Sequence, residues 1–279
     1  MQDSNRTLTM TKDDLERLIC ELDGMALSKF WSLNLTSADI ETVSVSNADQ
    51  ERWVTEIREV MKGDVRVKNH GLIVIWSDPV KLLINPPKFI SEDVSEGSFE
   101  LHAIKDIFKK QLTIGVVLLR LGYYAVGIFR GDKLAVSKSG SRYVHGRHKK
   151  GGSSQARFQR IRNKQAFEIY KKTCDITRGQ FVPYERDLDH IFLGGESHVL
   201  GGFIDVCPYL HKHKRIIADK ILEIRRPGQK TLEGILRKIW TSRVVLYKWP
   251  HELPVQRIGD RSSCRQQELE CTDRLNVDR

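Results

Sequence analysis

The feature that most constrains the fold is a change of hydrophobic period near the middle of the chain. Leu112 to Leu119, Tyr123 to Phe129 and Lys133 to Val136 are short β-prone runs separated by the pairs Leu121-Gly122 and Gly131-Asp132. Tight turns between such runs dictate a three-stranded antiparallel meander. Ahead of it, Thr11 to Phe30 spaces Leu15, Leu18, Ile19, Leu22 and Met25 as the stripe of a helix, with Thr11 as N-cap and Asp13 and Asp14 in its first turn. A second helix is expected from Ala48 to Met61, with Trp53, Ile57 and Val60 on one face. Leu72 to Trp76 and Val80 to Ile84 read as strands that Asn85-Pro86-Pro87 stops.

After the meander come a polar loop, Ser137 to Ser154, and a helix, Ser154 to Cys174. Then follow a strand at Asp189 to Leu193, a helix through Ile204 to Tyr209 and a strand at Lys220 to Ile224. A helix over Leu232 to Thr241 and a closing strand at Val244 to Trp249 complete the series. This order predicts the α/β (α+β) class: an N-terminal mixed helix-strand domain over 1–108, a second domain with a mixed sheet over 109–250, and a flexible tail over 251–279. The length of 279 residues fits two domains at roughly 150 residues each.

Charge narrows the partners. There are 46 Lys and Arg against 36 Asp and Glu, a net +10. From Arg142 to Lys172 there are ten basic residues and one acid, Glu168; from Pro208 to Pro250 there are eleven basic residues and three acids. The remainder is net acidic, so the basic excess is concentrated, as a polyanion-binding face requires. No apolar run approaches the roughly 18–20 residues that span a bilayer, and Met1 to Asp14 is polar, which predicts a cytoplasmic protein without membrane attachment. The cysteines, at 20, 174, 207, 264 and 271, are scattered without a CxxC pair, so reduced thiols and no zinc site are expected.

Inside the first basic segment, Arg157, Arg160 and Lys164 recur at helical spacing, while Phe158, Ile161 and Ile169 form a second stripe expected to face the core. Ahead of them Arg142, His145, Arg147, His148, Lys149 and Lys150 lead into Gly151-Gly152-Ser153-Ser154. A Gly-rich turn at a helix N-terminus offers backbone N–H groups and a positive dipole end to a phosphate or a developing oxyanion.

The whole run, Arg147-His-Lys-Lys-Gly-Gly-Ser-Ser-Gln-Ala-Arg-Phe-Gln-Arg-Ile-Arg162, resembles the central segment of eukaryotic and archaeal class-1 release factors. In them a basic Gly-Gly-Gln loop precedes a Ser-Ala-x-Arg-Phe-x-Arg-x-Arg helix. Gly151, Gly152, Arg157, Phe158, Arg160 and Arg162 keep that spacing. The glutamine is displaced: Ser153 and Ser154 intervene before Gln155, which resembles the Vms-like release-factor branch in a compact, prokaryote-type form. The resemblance is strong over about 140–172 and plausible over 110–250.

It implies an RNase H-like domain, no cofactor and no metal, and a monomer that hydrolyses stalled peptidyl-tRNA on the large ribosomal subunit without reading a codon. Ester hydrolysis there needs an oriented water and oxyanion stabilisation. The Gln155 amide can both donate and accept without titrating, with Gly151, Gly152, Ser153 and Ser154 shaping the catalytic loop. Arg142, Arg147, His148, Lys149, Lys150, Arg157, Arg160, Arg162 and Lys164 are the expected contacts to tRNA and ribosomal RNA phosphates.

Two alternatives stay open, a noncatalytic ribosome-binding protein and metal-independent cleavage of the tRNA acceptor end. A two-metal nuclease is disfavoured because the strand Thr113-Ile-Gly-Val-Val-Leu-Leu carries no acid. Arg178-Gly179-Gln180 reads as a turn, His211-Lys212-His213 as an exposed basic loop without an acid partner, and Asp205 and Cys207 show no nucleophile-base arrangement.

Overall fold

A computed structural model describes residues 6–24, 31–35, 48–63, 72–78, 80–87, 110–144, 146 and 153–248. In chain order its elements begin with β1 (Arg6–Met10), α1 (Lys12–Gly24), β2 (Trp31–Leu35), α2 (Ala48–Gly63), β3 (Leu72–Trp76) and β4 (Lys81–Asn85). Then come β5 (Thr113–Arg120), β6 (Tyr123–Arg130), β7 (Lys133–Ser141), α3 (Ser153–Phe181) and β8 (His190–Gly195). The series ends with α4 (Ser197–Val206), α5 (Pro208–Lys212), α6 (Gln229–Glu233), α7 (Leu236–Ile239) and β9 (Ser242–Lys248). The chain divides into two units, Met1–Phe108 with Thr241–Arg279, and Lys109–Trp240.

The first unit holds a five-stranded antiparallel sheet in the order β1-β9-β4-β3-β2. Every residue of β3 is buried, because a strand covered on both faces needs apolar side chains in both directions. On one face Leu72, Val74 and Trp76 pack with Trp53, Val54 and Ile57 of α2. The Glu56 carboxylate of α2 accepts hydrogen bonds from the Trp76 indole at 2.9 Å and the Lys81 ammonium at 2.6 Å. At the start of α1, Thr11 and Asp14 cap each other: the Thr11 hydroxyl accepts from the Asp14 amide, and the Asp14 carboxylate accepts from the Thr11 amide.

Three features of this unit differ from the sequence expectation. β1 and β2 form strands that no periodicity announced, both of them edge strands. The segment expected at Val244 to Trp249 to close the second domain instead lies in the first sheet, between β1 and β4. Its apolar run fits any sheet interior, and sequence alternation does not name a partner. The far end of the first expected helix, 25–30, lies outside the described residues.

The second unit is built on a mixed sheet, β7-β6-β5-β8, in which the meander β5-β6-β7 is antiparallel and β8 runs parallel to β5. β5 and β8 are buried along nearly their whole length. A Cβ built on Gly115 would come within 2.6 Å of the Phe181 ring, so the absence of a side chain there seats the C-terminal end of α3 on the sheet. Gly195 closes β8 with φ +148, where a Cβ would meet the Leu119 carbonyl oxygen at 2.0 Å.

α3 continues past Cys174 to Phe181, and Arg178-Gly179-Gln180 lies in its last turn rather than in a loop. The expected strand at Lys220 to Ile224 is reduced to one bridge, Leu222 to Gly194, with a second just before it from Ile217 to Ile191, both along β8. The helix expected through Ile204 to Tyr209 is split at Cys207, where Pro208 starts α5, and the one expected over Leu232 to Thr241 is split at Gly234. Cys174 of α3 and Cys207 are joined in a disulfide across 33 residues, against the expected reduced thiols; spacing along the chain carried no sign that the fold would bring them together.

Replacing Phe181, fully buried against Gly115, with Ala is expected to cost about 3–5 kcal/mol, read as a fall in the urea midpoint. A pH effect follows from Glu56. Burial alone would raise its pKa, but the hydrogen bonds from Lys81 and Trp76 hold it below the ordinary 4.5. Its contribution is therefore complete above about pH 4.5 and lost as pH falls through the lower folded-state value. Glu56→Gln should flatten the acid limb of a plot of Tm against pH.

Candidate functional site

α3 supplies the site, and its two halves behave differently. The C-terminal half buries Ile169, Thr173, Thr177 and Phe181 at four-residue spacing on one face. The two buried threonine hydroxyls donate to the carbonyls of Ile169 and Thr173, at 2.7 and 2.8 Å, and so enter the core satisfied. In the N-terminal half, Gln155 through Arg160 are all exposed, and the first fully buried side chain is Ile169. At 1.5 Å per residue, roughly 24 Å of helix thus precedes the buried segment. Phe158 is 40% exposed and Phe167 52%, so the stripe of Phe158 and Ile161 expected to face the core does not do so; only Ile169 does. Helical spacing identifies a face but not what covers it.

Gln155 lies in the first turn of this projecting half. Ser153 and Ser154 form the helix start, while His145, Arg147, His148, Lys149, Lys150, Gly151 and Gly152 lie outside the described residues. The first turn contains no acidic residue, so no carboxylate of its own offsets the positive end of the helix dipole. Arg157, Arg160 and Lys164 are exposed on one side of the projection. Gln159 and Asn163 bridge one turn with a 2.9 Å hydrogen bond.

Two of the expected phosphate contacts have partners within the protein. Arg142 pairs with Glu168 at 2.6 Å, tying the end of β7 to α3 where the projection begins. Arg162 is half-buried near Tyr170, whose phenol is raised by burial and partly lowered again by that arginine. Sequence reasoning noticed Glu168 only as the lone acid of a basic run.

Elsewhere in the unit, His211-Lys212-His213 does have an acid partner. Lys212 and His213 reach Glu185 at 2.6 and 2.8 Å. The Lys212 hydrogen bond, against burial, holds the Glu185 carboxyl below its usual range, and burial together with Glu185 pushes the Tyr209 phenol up to about 12. Among the described residues no three His, Cys, Asp or Glu side chains gather at metal-binding geometry, and no helix is long and apolar enough to cross a membrane.

Comparison with known proteins gives this geometry a class. Residues 112–245 match the Actinobacteria/chloroflexi VLRF1 release factor family. Peptide chain release factor subunit 1 of Archaeoglobus fulgidus is 26% identical over 151 residues, 54% of this chain and 36% of the relative. The protein of the same name from Aeropyrum pernix is 23% identical over 267 residues, 83% of this chain and 70% of the relative. A solved structure described as the Vms1 mitochondrial localization core aligns with a TM-score of 0.40 and 13% identity, covering 74% of this chain and 87% of its own. The chain spans about a third of the length of the Archaeoglobus relative. The second unit thus matches a release-factor family over nearly its whole length. Within that class the match is to the VLRF1 type, and the matched residues also take in the first part of β9.

With Arg160 on the exposed first turns of α3, Arg160→Ala should change the unfolding free energy by less than about 0.5 kcal/mol, whereas Ile169→Ala should cost about 2–5 kcal/mol in a urea titration. Equal losses from the two substitutions would mean that the N-terminal half is packed.

Proposed function

We propose that this protein hydrolyses the ester of peptidyl-tRNA on the large ribosomal subunit, independently of a codon, with Gln155 positioning the attacking water. The observation that carries the reading is Gln155 on the first turn of a basic helical projection that fully buries no described side chain for about 24 Å. A reactive group that must enter a narrow RNA-lined cavity needs such a probe, since a site within the domain body could not reach the ester. The release-factor type of the domain supports the same conclusion. So does the strand-strand-strand-helix-strand order of the second unit, with β8 beside and parallel to β5, which suits an RNase H-like domain.

The chemistry asks little of the protein. Water oxygen bonds to the ester carbonyl carbon, the tetrahedral oxyanion collapses, and the bond to the ribose oxygen breaks as that oxygen takes a proton. The Gln155 carbonyl accepts a hydrogen bond from the water while its amide N–H can donate toward the oxyanion. The positive dipole end at the start of α3, with no acid in its first turn, favours that developing negative charge. Arg157, Arg160 and Lys164 hold acceptor-end phosphates alongside, so the ester arrives oriented. Gly151, Gly152, Ser153 and Ser154 would shape the loop around it, and Arg147, His148, Lys149 and Lys150 would extend the cationic lining.

Release of nascent chain from purified large subunits carrying peptidyl-tRNA tests the assignment. Gln155→Ala should lower the release rate by about 10²–10³-fold, the scale of removing one oxyanion-type donor, with subunit affinity unchanged. Release at the wild-type rate by that variant would overturn the role of Gln155, and no release above background by the wild type itself would make the protein a noncatalytic binder. The tRNA freed by the wild type should carry an intact 3′ end; a shortened end would mean cleavage of the acceptor strand instead.

A further inference from the structure

Outside α3, one end of the second sheet gathers arginines that the release reading does not use. Arg120 ends β5, Tyr123 begins β6 and pairs with Ser141 of β7, and the Arg142 amide donates to the Gly122 carbonyl at 2.9 Å. The chain returns to this end after β8. Arg120 donates to the Arg225 carbonyl, and the Arg226 guanidinium lies 4.3 Å from the centre of the Tyr123 ring.

Four arginines thus meet at one sheet end, but they are not equivalent. Arg120 is paired with Glu196 and Arg142 with Glu168. Arg225 and Arg226 are exposed, and among the described residues neither has a carboxylate partner. Their backbone is fixed nonetheless: the Arg225 carbonyl accepts from Arg120, the Arg226 carbonyl accepts from the Thr231 hydroxyl at 2.8 Å, and Pro227 behind them is buried. A guanidinium laid over an aromatic ring still has its edge N–H groups, the geometry that meets a phosphate.

We propose that Arg225 and Arg226, with Tyr123 as the stacking base for Arg226, form a second phosphate-binding site that takes the acceptor arm of the tRNA. This rests on the reading that the 3′ end lies at the tip of α3. The two sites belong to one track. Glu168, which ties α3 to Arg142 at the sheet end, is thirteen residues beyond Gln155, or about 20 Å along the helix. A strand whose end sits at Gln155 and which follows Arg157, Arg160 and Lys164 downward arrives at this sheet end with several phosphates still to be neutralised. The arginines paired with Glu196 and Glu168 build the site, and Arg225 and Arg226 face the RNA.

The test is binding of the full-length protein to fluorescently labelled, deacylated tRNA, measured by anisotropy between about 50 and 200 mM salt. Arg225→Ala with Arg226→Ala should raise Kd about tenfold at about 100 mM salt. It should also make the slope of log K against log salt shallower by roughly 0.7–0.9 for each phosphate no longer neutralised. Arg226→Lys should keep the slope while weakening binding, since it keeps the charge and gives up the planar stack. Arg225→Gln alone, at an exposed side chain with no carboxylate partner among the described residues, should give about half the change in slope and serves if the double variant melts early.

Kd and slope within twofold of wild type in a folded variant would overturn the site. Wild-type tRNA binding with reduced affinity for large subunits lacking tRNA would assign it to ribosomal RNA and overturn the tRNA proposal. Loss of binding to phosphatidylserine vesicles, with tRNA binding intact, would overturn it in favour of a membrane. Failure of the hydrolysis reading shows in the release rate of Gln155→Ala, and failure of this one shows in the tRNA affinity of the Arg225 and Arg226 variants.

Discussion

The second unit depends on how one half of a long helix is held. Phe181 fills the space that Gly115 leaves open on β5, and Ile169, Thr173 and Thr177 continue that packing toward the N-terminus at four-residue intervals. Burial on this stripe fixes the axis of α3 against the sheet. Once the axis is fixed, the direction of the other half follows without further packing, because a helix transmits orientation through its own backbone hydrogen bonds. The Arg142 to Glu168 pair sits where burial ends, tying β7 to the helix at the point from which it projects. As an exposed pair it adds little stability in itself, and its consequence is geometric.

That division explains the placement of charge. A helical stretch that fully buries no side chain has little use for apolar residues, and its stability must come from propensity; glutamine, arginine, alanine and lysine, which fill eight of the eleven positions from 155 to 165, are good helix formers. The same residues make the surface attractive to RNA. An acid in the first turn would help the isolated helix by complementing its dipole, but its absence leaves the N-terminus open to an anion. The local sequence thus gives up some helix stability where the proposed chemistry needs positive potential.

Much of this was legible in the residues. The meander was announced by Gly122 and Gly131 at its turns and by the β-prone runs between them, and α3 by its spacing. The helix was read too short because its buried stripe includes Thr173 and Thr177. Threonine hydroxyls satisfied by the preceding turn behave as core groups, yet they count as polar in any periodicity. Phe158 misled in the opposite direction, since an aromatic at helical spacing reads as core. β9 was assigned to the wrong sheet, and Cys174 and Cys207 were read as unrelated thiols, for a common reason: both pairings are long-range, and neither strand alternation nor cysteine spacing encodes which distant partner is met.

The site was legible where its chemistry is local and obscure where it is assembled. Gln155 and the basic residues after it lie within one stretch of sequence, so a motif could show them together. The sheet-end arginines are about a hundred residues apart, and a basic run around 225 looks the same whether its charges are paired or open. What distinguishes them is the fate of each neighbour. Glu196 and Glu168 neutralise Arg120 and Arg142, and no described carboxylate does so for Arg225 or Arg226. A count of charge locates the region of a polyanion-binding face; the pairing pattern within it separates the residues that build the face from those that meet the ligand.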